Sequence, residues 1–211
     1  ELLADLPETG APMPGPAELH VEGGTTVIPF QTPQSVALFG QPGIERDDPD
    51  FFAAMIAMHI LGGSGESRLM QEVRVKRGLT YGVYSYLAPK DLAAVMVGRV
   101  ASANDRIGAA IGVIGDEWAR MAEEGVTQEE LDAAKTYLTG AYPLRFKGNA
   151  RIAGILVGMQ MQGLPIDYIA TRNDKVDAVT LEDVNRVAAE LFRPEDLQFT
   201  VVGAPEGLDA D

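Results

Sequence analysis

Cysteine is absent from the 211 residues, which removes disulfides, thiolate metal ligands and thiol nucleophiles together. Histidine is nearly absent too, with only His20 and His59. A catalytic zinc needs three converging protein ligands, drawn from His and carboxylates when cysteine is missing. Neither histidine stands in His-x-x-Glu-His or His-Glu-x-x-His, the spacings that set two imidazoles on one helical face beside a carboxylate base. His59 falls near the apolar face of its helix and is read as a packed core residue. The nucleophile elbow Gly-x-Ser-x-Gly does not occur, and Gly63-Ser64-Gly65 falls between helices, away from any strand-to-helix turn. Neither phosphate-loop pattern is present.

Positive charge is scarce. Seventeen Lys and Arg face 31 Asp and Glu, for a formal charge of −14. Phosphate-rich surfaces are bound through an excess of Lys and Arg, so nucleic acid and anionic membrane are excluded as partners. The acidic residues form no long block and read as a solvated surface. The most apolar run, Ala53 to Leu61, contains His59 and is far too short to span a bilayer. The expectation is a soluble protein of the bacterial periplasm or cytoplasm. Glu1 is not an initiator Met, which suggests a processed or partial chain.

What remains is an ordinary globular composition, 46% hydrophobic and 23% charged, in a chain long enough to bury one core. Six prolines between Leu6 and Pro33, together with Gly10, Gly15, Gly23 and Gly24, disfavour regular structure. Residues 1–33 are therefore read as an extended linker and 34–211 as one αβ domain. Leu6-Pro7-Glu8-Thr9-Gly10 spells a sortase sorting signal, but at the wrong end of the chain, and is read as coincidence.

Ser35 to Gly40 predicts a buried strand. Asp48 as N-cap and Pro49 at the first helical position open a helix to about Leu61, stopped by Gly62-Gly63 in a left-handed turn. Asp47, Asp48 and Asp50 are explained by capping and the helix dipole rather than by a cation. A short helix from about Glu66 to Arg77 ends at Gly78. Leu79 to Leu87 and Ala93 to Val100 then predict an antiparallel hairpin turning at Pro89-Lys90-Asp91. Ile107, Ile111, Ile114, Trp118 and Met121 mark an amphipathic helix ended by Gly125. Capping boxes at Thr127–Glu130 and Thr180–Asp183 open two more helices, and Leu197 to Val202 closes the chain as a strand. The fold class is α+β, a mostly antiparallel sheet with helices packed on one face.

One continuous segment carries a resemblance. Leu61-Gly62-Gly63-Ser64-Gly65-Glu66-Ser67-Arg68-Leu69-Met70-Gln71-Glu72-Val73-Arg74-Val75-Lys76-Arg77-Gly78-Leu79-Thr80-Tyr81-Gly82-Val83-Tyr84-Ser85 joins a glycine-rich turn, a Ser-Arg-Leu helix start, Arg-Gly-Leu and an aromatic strand. It resembles the C-terminal half-domain of the M16 zinc peptidases typified by insulinase and the mitochondrial processing peptidase. Weaker agreement runs from about Ser35 to Gly203. The resemblance implies two similar domains enclosing a chamber where extended peptides are cut, with the zinc in the other domain type, on His-x-x-Glu-His. It implies no cofactor in this chain, zinc in a partner domain or subunit, a peptide substrate and a dimer.

The same resemblance assigns Arg74 and Tyr81, in Arg-x6-Tyr spacing, as a substrate clamp and oxyanion donor. On spacing alone, Arg74 as a cap on helix carbonyls and Tyr81 as an ordinary strand aromatic stand beside that reading. Arg68 and Arg77 are accounted for as exposed helix charge, and Tyr84 and Tyr86 by cross-strand packing. A second reading is a structural or assembly module that kept the fold without the chemistry.

Overall fold

The computed structural model describes residues 9–208, so Leu6, Pro7 and Glu8 of the sorting-like pattern lie outside it. Five strands form one sheet: β1 (Gly24–Pro29), β2 (Gln34–Pro42), β3 (Val83–Lys90), β4 (Ala93–Ala103) and β5 (Gln198–Gly203). Their order across the sheet is β1-β5-β2-β4-β3. Only β1 and β5 run parallel; the other neighbours are antiparallel. Among the described residues six α-helices accompany it: α1 (Phe51–Gly62), α2 (Ile107–Glu124), α3 (Gln128–Ala141), α4 (Asn149–Met161), α5 (Tyr168–Ala178) and α6 (Leu181–Leu191).

The helices cover one face of the sheet. Strand residues alternate, and Ala37, Phe39, Val83, Met96, Val100, Phe199 and Val201 join helix residues in a single apolar core. Phe39 lies at its centre, edge-on to Trp118 of α2 and tilted against Phe199. Gln41 is buried and fully engaged. Its side-chain oxygen accepts from the Trp118 indole N–H at 2.5 Å and from Arg193 N–H at 3.1 Å, and its amide donates to Leu191 O at 2.7 Å. It thereby ties β2 to α2 and to the end of α6 without an unmet polar group. The opposite face, with Leu38, Tyr84, Tyr86 and Val202, is left exposed.

The segment read as linker contains a strand. Thr25, Thr26, Val27 and Ile28 pair with β5 at the sheet's edge, where β-branched residues are favoured and the flanking prolines are tolerated. The strand enters through Gly23, whose φ is +67° and where a Cβ would lie 2.0 Å from Glu195 O. α1 begins at Phe51, later than expected, because Asp48 first closes a tight turn: its carboxylate accepts from Asp50 N–H at 2.8 Å. Gly62 and Gly63 do not reverse the chain to the left, since Gly63 has φ −87°. Gly62 is needed for close approach to β3, because a Cβ there would meet Ser85 Oγ at 2.1 Å. Leu79 to Gly82 are not strand; β3 starts at Val83. The hairpin turns at Asp91 and Leu92, one step beyond the expected turn. Both capping boxes, at Thr127 and Thr180, are formed.

Candidate functional site

After Gly63 the chain makes one tight helical stretch whose last turns, Met70–Val75, are widened, with Lys76 N–H reaching back five residues to Gln71 O at 2.9 Å. Single wide turns of this kind change the angular position of every residue after them. The stretch ends as the sequence predicts, on Gly78 with φ +62°. Gly78 N–H bonds Arg74 O, and Leu79 N–H bonds Val73 O, both at 2.9 Å, which satisfies the last carbonyls of the helix.

The cations of this stretch are held differently. Arg68 is not exposed helix charge: it is 8% exposed and grips Glu130 at the start of α3 through two 2.7 Å hydrogen bonds, with a third to Gly125 O at 2.8 Å. Burial works to raise the Glu130 carboxyl, but the bonds from Arg68 and Thr127 outweigh it and hold its pKa below the ordinary value. Lys76 and Arg77 both bond Glu72, at 2.5 and 2.6 Å, and lower its pKa in that order of importance. Arg74 has no carboxylate within 4.0 Å among the described residues. Its guanidinium instead lies over the Tyr81 ring, 5.8 Å from the centroid, and no described hydrogen bond joins its side chain to a helix carbonyl.

Tyr81 is 93% exposed, yet the loop that carries it is pinned. Thr80 Oγ1 donates to Ala101 O at 2.6 Å and accepts from Gly82 N–H at 3.1 Å. Ser102 Oγ donates to Leu79 O, and Arg106 reaches Gly78 O at 3.5 Å. A fixed backbone thus holds a bare phenol in solvent beside a bare guanidinium, and the phenol borders a cleft of about 510 Å³. The arrangement offers a hydroxyl donor and a planar fork of N–H donors to whatever lies alongside.

Among the described residues no three His, Cys, Asp or Glu side chains form a metal-binding group. His20 is exposed. His59 stacks on Tyr137 at 5.0 Å, and burial lowers its pKa. Asp50 forms two bonds to Arg186, at 2.6 and 2.8 Å, which hold its pKa below the ordinary value. The described residues do not fit a zinc ion.

Residues 1–138 match the family described as Peptidase M16 inactive domain. The chain belongs to that family. The chain is 30% identical over 189 residues to an uncharacterized zinc protease of Streptomyces coelicolor, covering 86% of this chain and 40% of that protein. It is 28% identical over 177 residues to a protein of Helicobacter pylori called a non-peptidase homolog, covering 83% of this chain and 41% of the other. The crystal structure of a peptidase M16 inactive domain from Pseudomonas fluorescens superposes with a TM-score of 0.82 at 31% identity, over 95% of this chain and 47% of that one. The chain therefore spans about two-fifths of the length of the curated relatives it matches. No helix among the described residues is long and apolar enough to cross a membrane.

Arg74 and Tyr81, the pair singled out by the resemblance, lie beside each other, the guanidinium 5.8 Å from the ring centroid. The residues that fix the Tyr81 loop, Thr80, Ser102 and Arg106, escaped the sequence reading. The signal for Ser102 and Arg106 was the short run Ser102-Ala103-Asn104-Asp105-Arg106 at the end of a mostly apolar strand.

Proposed function

We propose that this M16 inactive domain is the substrate-binding half of a zinc metallopeptidase, clamping extended peptides for hydrolysis at a zinc site supplied by another domain or subunit that bears His-x-x-Glu-His. The carrying observation is Tyr81, almost fully exposed on a hydrogen-bonded loop with the unpaired Arg74 guanidinium over its ring. Packing explains neither side chain, and solvating an ordered aromatic gains nothing for stability. Arg74 holds backbone carbonyls of the peptide through its N–H fork, which sets register before reaction. The Tyr81 hydroxyl donates to the oxygen of the scissile carbonyl as negative charge develops there.

The test combines this chain with its zinc-bearing partner and follows zinc-dependent cleavage of a quenched fluorescent peptide. Arg74→Ala and Tyr81→Phe are expected to assemble normally and lower kcat about 100-fold, the scale of removing one oxyanion donor. Undiminished turnover in both variants would sink the clamp. The relative called a non-peptidase homolog favours a second reading, an assembly module with the M16 fold and no part in hydrolysis. That reading predicts stable association with a partner and no Arg74-dependent cleavage in any combination.

A further inference from the structure

The cleft beneath Tyr81 continues across the open face of the sheet. A second depression of about 440 Å³ shares Tyr84 and Arg99 with the first, so the two make one groove from Tyr81 over β3, β4 and β2. No Asp or Glu lines either part, in a chain whose acidic residues outnumber basic ones 31 to 17. Arg99 and Arg106 line the groove, and neither has a carboxylate within 4.0 Å among the described residues.

Arg99 stands where the two depressions join. The antiparallel register sets it opposite Tyr84 on β3 and Leu38 on β2, a mid-sheet position where the β-branched residues common in strands would serve packing better. The rings of Tyr84 and Tyr86 stack 6.4 Å apart along the same face, giving a floor on which an apolar or aromatic side chain can lie. Charges farther off than a Debye length of about 8 Å are screened at physiological salt. The local guanidinium groups, not the chain's net charge, therefore decide what the groove attracts.

We propose that this groove selects an acidic side chain of the bound peptide, its carboxylate taken by Arg99 with Arg106 at the rim, while the Tyr84–Tyr86 floor carries a neighbouring side chain. The proposal rests on the reading that an extended peptide lies at Arg74 and Tyr81. A planar guanidinium accepts a carboxylate through two parallel N–H bonds, so a single Asp or Glu suffices.

The experiment measures binding of fluorescein-labelled, C-terminally amidated peptides to the full chain by anisotropy. One peptide carries Glu at alternate positions, a second Gln and a third Lys, and a fourth is the Gln peptide with a free C-terminal carboxylate. The Glu peptide is expected to bind about fivefold more tightly than the Gln peptide, as an exposed charge-assisted pair allows, with the preference shrinking as salt rises. Arg99→Gln should bring the Glu-to-Gln ratio close to one, whereas Arg74→Ala should weaken both peptides and keep the ratio. Equal binding of Glu, Gln and Lys peptides, or a preference that survives Arg99→Gln, overturns the acidic selectivity and leaves the clamp standing. A preference that follows only the free C-terminal carboxylate also overturns it. Absence of binding by every peptide overturns the selectivity and the peptide-clamp reading together.

Discussion

Arg68 and Glu130 bind each other inside the protein, and removing either leaves the other without its counter-charge. Arg68→Ala would strand the Glu130 carboxylate beneath the start of α3, where it also completes the Thr127 capping box. Breaking such a pair costs about 3 kcal/mol, the lower end of the range for buried pairs, because Glu130 keeps some exposure. Urea unfolding should show that loss. Glu117 presents the reverse case. Burial raises its pKa, Arg120 offsets part of that, and one carboxylate oxygen has no hydrogen-bond partner. A carboxyl whose pKa is raised by folding contributes stability below its unfolded pKa and loses it as pH rises through the folded value. Glu117→Gln, which cannot ionise, should therefore raise Tm by a few degrees at pH 7 and change it little at pH 4, as scanning calorimetry at both pH values would reveal.

Among the elements, α1 comes close against β3 at Gly62. Ala at position 62 would favour the helix by up to about 1 kcal/mol on propensity alone. The backbone at Ser85 opposes it, because the added Cβ would lie 2.8 Å from Ser85 N as well as 2.1 Å from its hydroxyl. Gly62→Ala should destabilise by about 1–3 kcal/mol in denaturant unfolding, and adding Ser85→Ala should restore only part of it, since the backbone clash remains. This contact also shows what the sequence could and could not reveal. A glycine pair after an apolar helical run marks a helix end, and α1, α2, α3, α6 and the hairpin were readable from period, caps and turns. That Gly62 serves close packing depends on a strand more than 20 residues away. β1 was hidden because prolines on both sides dominated the composition of its segment, and its partner is the last strand of the chain. α4 and α5 were not resolved because their apolar residues form no single stripe. Leu156, Val157 and Met161 of α4 are exposed and Met159 is buried. Arg74 and Tyr81 were identified through the surrounding motif, whereas Arg99 looked like one more strand residue until the register set it beside Tyr84.

For the whole molecule, the decisive pairing joins the first strand to the last. β1 has β5 as its only strand partner among the described residues, with Gly24 opposite Gln198, and β5 also supplies Phe199 and Val201 to the core. A chain ending at residue 196 should lose cooperative unfolding by circular dichroism even though every helix remains encoded. Contacts between such distant residues close large loops and slow folding. During synthesis the residues of β1 leave the ribosome well before those of β5 and must wait, unpaired and rich in β-branched side chains, until everything from β2 to α6 has followed. In that interval the nascent strand is open to pairing with other chains, and the proline-rich stretch just ahead of it, unable to extend a ladder, limits how far such mispairing can spread.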